Sequence, residues 1–122
     1  MITTTGCAAA SPEHNDGLEA IWALKIDHGT ITRVERDTSP TATFCGHLNN
    51  HVPPRTIVRI VLNPAKGSNI NVEMTLPDPG QWSGRLLATG NGGAAGGITD
   101  GLWMMTFDWA VVTTDMGTAP NP

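Results

Sequence analysis

The sequence predicts an α/β fold in which only part of the sheet is present: a strand hairpin, then a strand, a glycine-rich loop, a helix and a second strand. Three observations predict it. Residues 56–62 (TIVRIVL) and 70–76 (INVEMTL) are β-branched and aliphatic runs joined by the turn-forming stretch Asn63-Pro64-Ala65-Lys66-Gly67-Ser68-Asn69, which reads as a hairpin. The short apolar run 85–89 leads into a cluster of glycines, after which 98–107 reads as a helix and 109–114 (WAVVTT) as a buried strand. The chain of 122 residues also carries 14 glycines and nine prolines, a composition that favours loops and short strands over long helices.

The elements follow in order. Residues 1–17 are rich in Thr, Ala, Pro and Asn and read as loop. Residues 18–27 (LEAIWALKID) fit two readings, since Leu18, Ile21, Trp22 and Leu24 make a helical face while 21–26 could form a strand. His28-Gly29-Thr30 is a turn, 30–36 (TITRVER) alternates as a strand does, and 37–42 returns to loop. The division expected is a loop-rich segment, 1–55, followed by the start of the core sheet, 56–122. A strand, a glycine loop, a helix and a strand form one βαβ-like unit, which ordinarily belongs to a larger sheet. On that ground the chain reads as a fragment of one domain.

Composition narrows the function. A formal charge of −4 with only seven scattered Lys and Arg argues against nucleic acid, because phosphate binding needs clustered cations. No apolar run approaches the roughly 20 residues that a spanning helix requires, so no membrane partner is expected. The first residues lack the basic and apolar regions of an export signal. Cys7 and Cys45 are the only cysteines, without C-x-x-C spacing. That pattern fits one disulfide in an oxidising compartment or two buried thiols, and composition does not choose between them.

The glycine cluster carries the chemistry. Three readings compete for it. Gly90-x-Gly92-x-x-Ala95 nominally satisfies a dinucleotide fingerprint, and Asp115 stands near the distance at which an acidic residue would hold the ribose. The extra small residues Gly93, Ala94, Gly96 and Gly97 displace the helix start from that fingerprint, and no Gly-Lys-Ser/Thr of a P-loop follows. The second reading is an oxyanion loop: α/β-hydrolases take one donor from the loop between an early strand and the first helix, and Gly90 to Gly93 occupies that place. Two preset amides there stabilise acyl transfer, and losing one donor commonly costs about 10² to 10³ in rate. The third reading is a connecting turn without chemistry.

Three motifs in order bear on the choice. Leu76-Pro77 … Trp82-Ser83-Gly84-Arg85-Leu86, then Gly90-Asn91-Gly92-Gly93-Ala94-Ala95-Gly96, then Thr114-Asp115-Met116-Gly117, resemble the N-terminal part of the tannase/feruloyl esterase family, whose patterns are L-P…W-N-G-R-F, G-N-G-G-x-x-G and T-D-x-G-H. Ser83 stands where that pattern has Asn, Leu86 where it has Phe, and Thr118 where it has His. The resemblance implies the N-terminal portion of an α/β-hydrolase fold, and a serine esterase acting on galloyl or feruloyl-type aromatic esters, secreted or periplasmic. It implies that the Gly93 backbone N–H, supported by Gly92, faces the oxyanion. It also implies a Cys7–Cys45 disulfide and requires no cofactor or metal.

The family's nucleophile elbow, Cys-Ser-x-Gly-Gly, is not in this sequence; Ser11, Ser39, Ser68 and Ser83 all lack that context. This chain is therefore expected to supply the oxyanion loop but not the Ser-His-Asp triad. The alternative is a non-catalytic truncated or binding module. Cys45-x-His47-x-x-x-His51 has metal-like spacing but sits in Pro-rich loop sequence, and its zinc reading ranks below the disulfide. His14 and His28 are isolated and read as solvated. Trp22, Trp82, Trp103 and Trp109 are read as core rather than as stacking platforms. Asp115 is expected to shape the turn before Gly117.

Overall fold

The computed structural model describes residues 18–44, 47–90 and 101–118. Its centre is a five-stranded sheet in the order β1-β4-β5-β7-β6, built from β1 (Gly29–Asp37), β4 (Arg55–Leu62), β5 (Ile70–Pro77), β6 (Leu86–Thr89) and β7 (Ala110–Thr114). A separate two-stranded hairpin, β2 (Thr41–Phe44) with β3 (His47–Asn50), lies beside it. The expected hairpin is β4–β5, antiparallel from Arg55↔Pro77 to Leu62↔Ile70. β6 and β7 pair in parallel, Leu86↔Ala110 through Thr89↔Thr113, as a crossover unit should.

Three local expectations are corrected. The sheet begins upstream of residue 56, with β1 as an edge strand antiparallel to β4. Residues 41–44, inside or just past the expected loop 37–42, are extended: Thr and Phe favour strands, and the β3 segment supplies the partner. Of the helix expected at 98–107, residues 98–100 lie outside the described residues, and Leu102–Phe107 forms a 3₁₀ helix. It ends at Asp108, which sits in the left-handed region (φ 61°), while the Thr106 hydroxyl donates to Trp103 O at 2.7 Å. The tighter i→i+3 spiral suits a short connector. The ambiguous segment 18–27 resolves as one helical turn, α1 (Glu19–Trp22), rather than a strand.

Register divides the side chains between two faces, because directly opposed residues in adjacent strands point the same way. One face is apolar: Val34, Val58 and Ile60 pack with Leu18, and Ile21, Trp22, Ile26, Val72 and Met74 close around them. The other face carries a row of polar residues across all five strands, Arg33, Arg59, Glu73, Thr113 and Thr89, each opposite the next. Arg59 Nε donates to Glu73 Oε2 at 2.6 Å, and Arg33 pairs with Glu35. Burial pushes the Glu73 carboxyl above its ordinary value, and the charges of Arg59 and Arg33 oppose that rise. A second cluster on the β7 side joins Val111 to Leu102 and Met105 of the 3₁₀ helix and to Val52. Arg55, 1% exposed, fixes the far end of this face by donating to Asp37 Oδ2 (2.9 Å), Ser39 O (2.8 Å) and Pro53 O (3.2 Å).

Candidate functional site at the carboxyl rim of the sheet

Strand directions decide where a site can form. β4 and β7 are each antiparallel to β5, and β6 is parallel to β7, so the carboxyl ends of β4, β6 and β7 share one rim. In open α/β sheets ligands bind outside the carboxyl ends of the strands. Three segments meet that rim: Gly90 after β6, the turn Asp115–Thr118 after β7, and the turn between β4 and β5.

Asp115 organises the rim. It is 1% exposed. Its Oδ1 accepts from the backbone N–H of Asn71 (3.0 Å) and of Gly117 (2.8 Å), and its Oδ2 accepts from Asn71 Nδ2 at 2.6 Å. The backbone closes the same clamp, with Asp115 N donating to Asn71 O at 3.1 Å and Thr118 N donating to Asp115 O at 3.0 Å. A carboxylate that accepts several N–H bonds satisfies the lone pairs that burial would otherwise strand. The expected turn-shaping role is what the geometry shows. A carboxylate spent in this way is not available to a ribose hydroxyl, which removes the acidic partner from the dinucleotide reading.

Between Asp115 and Thr118 lie two successive residues in the left-handed region, Met116 (φ 56°) and Gly117 (φ 77°). Gly117 suits this conformation, and a side chain there would also press on Ile70 Cγ1 at 3.2 Å. Met116 does not suit it. Its N–H donates to Thr114 Oγ1 at 3.0 Å, and its side chain is 56% exposed and lies over Gly90. A Cβ built on Gly90 would stand 2.5 Å from Met116 Sδ and 3.3 Å from its Cγ. A side chain at Gly90 would therefore have to displace the exposed Met116 thioether, the far end of a flexible side chain. One strand residue earlier, the Thr89 hydroxyl is buried and has no hydrogen-bond partner among the described residues.

The sequence-predicted residues fare unequally. Gly92, Gly93, Cys7 and Cys45 lie outside the described residues, as do Ser11 and His14. Ser68 is the turn residue expected, its hydroxyl donating to Ala65 O and accepting from Ala65 N. Ser39 and Ser83 are exposed loop residues; the Ser39 hydroxyl donates to Thr41 O. His28 is exposed beside Asp27, as expected of a solvated histidine. Two tryptophans depart from the core expectation: Trp82 is 51% and Trp103 55% exposed, whereas Trp22 packs on the apolar face and Trp109 carries Arg85 over its ring at 5.6 Å. Among the described residues no group of His, Cys, Asp and Glu could hold a metal ion, and no helix is long and apolar enough to cross a membrane. Reasoning from sequence missed Asn71 and Met116, because partnership across 44 residues and a side chain's seat over a glycine leave no local signal.

With this geometry in view, the fold can be compared with those of solved proteins. Two solved fungal enzymes share it at 21% identity. The first is an esterase from Aspergillus oryzae, with a TM-score of 0.69 over 85% of this chain. The second is feruloyl esterase B from Aspergillus oryzae, with a TM-score of 0.71 over 87% of this chain. The chain spans 22% of the length of each. The relationship to feruloyl esterase is thus one of fold. No family model matches the chain, and no curated protein matches it either.

Proposed function

We propose that this chain is the N-terminal portion of a serine carboxylic-ester hydrolase of the tannase/feruloyl esterase type, with an α/β-hydrolase fold, acting on galloyl or feruloyl-type aromatic esters. One observation carries the reading: the glycine loop leaves β6 at the carboxyl rim, in a chain whose fold follows feruloyl esterase B over 87% of its residues. Counted from the β4–β5 hairpin, β6 is the third strand, and the loop after the third strand is where α/β-hydrolases place one oxyanion donor. The Gly93 backbone N–H, with Gly92 in support, takes that role in the proposal. A serine outside this chain attacks the ester carbonyl. The tetrahedral intermediate then places its negative oxygen against preset amides, whose value lies in needing no reorganisation as charge develops. A Cys7–Cys45 disulfide and a secreted or periplasmic location belong to the same proposal.

The test is Gly93→Pro in a longer version that carries a nucleophile elbow. Removing that N–H should lower kcat by about 10² to 10³ with little change in KM. An unchanged kcat removes Gly93 from the mechanism.

The second reading, a non-catalytic binding module, is favoured by the lack of elbow context around Ser39, Ser68 and Ser83. The dinucleotide reading predicts saturable quenching of tryptophan fluorescence by NAD(P)H. Asp115, occupied by Asn71 and Gly117, argues against it.

A further inference from the structure

The two edges of the five-stranded sheet are built differently. β1, at one edge, carries Arg33, Glu35, Arg36 and Asp37, and its register shifts between Ile31 and Arg33. Charges and bulges of this kind keep an edge from pairing with a second chain. β6, at the other edge, reads Leu86-Leu87-Ala88-Thr89 and has neither. Arg85, the residue before it, is drawn over the Trp109 ring at 5.6 Å. Apolar side chains gather where this strand starts. Leu86 is exposed, and the bond from Ser83 N to Asp108 O (2.9 Å) brings the turn bearing the exposed Trp82 to the end of the 3₁₀ helix, where Phe107 is also exposed.

The hydrogen-bond phase of β6 sets what this edge fits. Ala110 N donates to Arg85 O at 3.0 Å, and the register places Leu86 opposite Ala110 and Ala88 opposite Val112. Along a parallel ladder alternate residues bond the neighbour, so Leu87 and Thr89 turn their N–H groups to β7 while the N–H and C=O of Leu86 and Ala88 point away from it. Among the described residues no strand meets them. Such a strand is complementary to its own reverse. A two-fold axis through Leu87 sets Leu86 of one copy against Ala88 of the other, each pair exchanging both hydrogen bonds, with a large side chain beside a small one and no like charges opposed. We propose that β6 is a self-pairing edge, through which two copies of this chain join antiparallel, β6 to β6, and merge their sheets into one. A contact four residues long lies well below the standard interface, so the dimer is weak and forms with concentration. The pairing requires nothing of the esterase reading.

The test follows the 122-residue chain by sedimentation velocity and amide hydrogen exchange over a range of concentrations. A monomer–dimer equilibrium is expected, in which the Leu86 and Ala88 amides gain protection with concentration while those of Leu87 and Thr89, already bonded to β7, do not. Ala88→Pro removes an outward N–H without touching the ladder to β7, and should raise the dissociation constant about tenfold. Leu86→Lys, which keeps every backbone group and so cannot fail through a distorted strand, should weaken the dimer as well. Leu24→Lys removes a comparably exposed leucine near α1 and should leave association unchanged. A chain that stays monomeric throughout its soluble range overturns the proposal and leaves the edge to a strand from outside these residues. Growth beyond the dimer also overturns it, because a two-fold contact consumes the edge. So does a Leu24→Lys chain that loses association as fully as Ala88→Pro, which would mark general stickiness rather than edge pairing.

Discussion

At the scale of single residues, strain and buried charge give separable predictions. Met116 occupies the left-handed region without a side chain that stabilises it. Met116→Asn should therefore stabilise the chain by about 1 kcal/mol in urea unfolding, while abolishing the contact with Gly90. Asp115→Ala acts in the opposite direction: it strands the Asn71 and Gly117 N–H groups together, and should cost about 3 kcal/mol in the same measurement. Glu73 makes a prediction in pH. Its folded pKa lies above the ordinary 4.5 because burial disfavours the anion, and the unfolded chain returns it to the ordinary value. The folded state then holds the proton more tightly, so the contribution of Glu73 to stability is fully present below the ordinary value and declines as pH rises through the folded one. Measured from pH 4 upward, the stability of the wild type relative to Glu73→Gln should fall across that window; a flat or rising difference contradicts the assignment.

At the scale of elements, what the sequence could show was whatever repeats within a few residues. β4 and β5 were legible because each is a long aliphatic run bounded by a turn, with Ser68 supplying the turn's hydrogen bonds. β7 was legible as an apolar run, and its parallel pairing with β6 followed from the strand–loop–helix–strand order. The β2–β3 hairpin was not, because four-residue strands next to Ser39 and Pro40 carry loop composition. Leu102, Met105 and their neighbours mark a helix by their apolar pattern, but that pattern does not tell a 3₁₀ spiral from an α-helix. The candidate site was legible only in its glycines. Its clamp joins residues 71 and 115, which no window spans. β6 adds a consequence of its own: it pairs with β7 on one side, and Leu86 is 55% exposed at its start. β6 also has none of the lysines, prolines or bulges that blunt an edge strand. Self-association of the chain should therefore rise with concentration in sedimentation velocity, and Leu86→Lys should reduce it.

At the scale of the whole molecule, the fold and the chemistry separate. A TM-score of 0.71 over most of the chain gives the sheet, the crossover and the rim, yet the chain spans only 22% of the enzyme whose fold it shares. Oxyanion donors lower a barrier only when a nucleophile approaches the same carbonyl, and their effect multiplies a rate that the nucleophile must first supply. Among the described residues, Ser39 and Ser83 lie in exposed loops, and Ser68 Oγ is already bonded to Ala65. The chain alone is accordingly predicted to release no p-nitrophenol from p-nitrophenyl acetate and no ferulate from methyl ferulate above the rate of a denatured control. Turnover that survives purification and disappears on heating would mean that a nucleophile lies within these 122 residues. It would then have to be sought by replacing each serine in turn, and the division of labour between this portion and a serine outside it would fall.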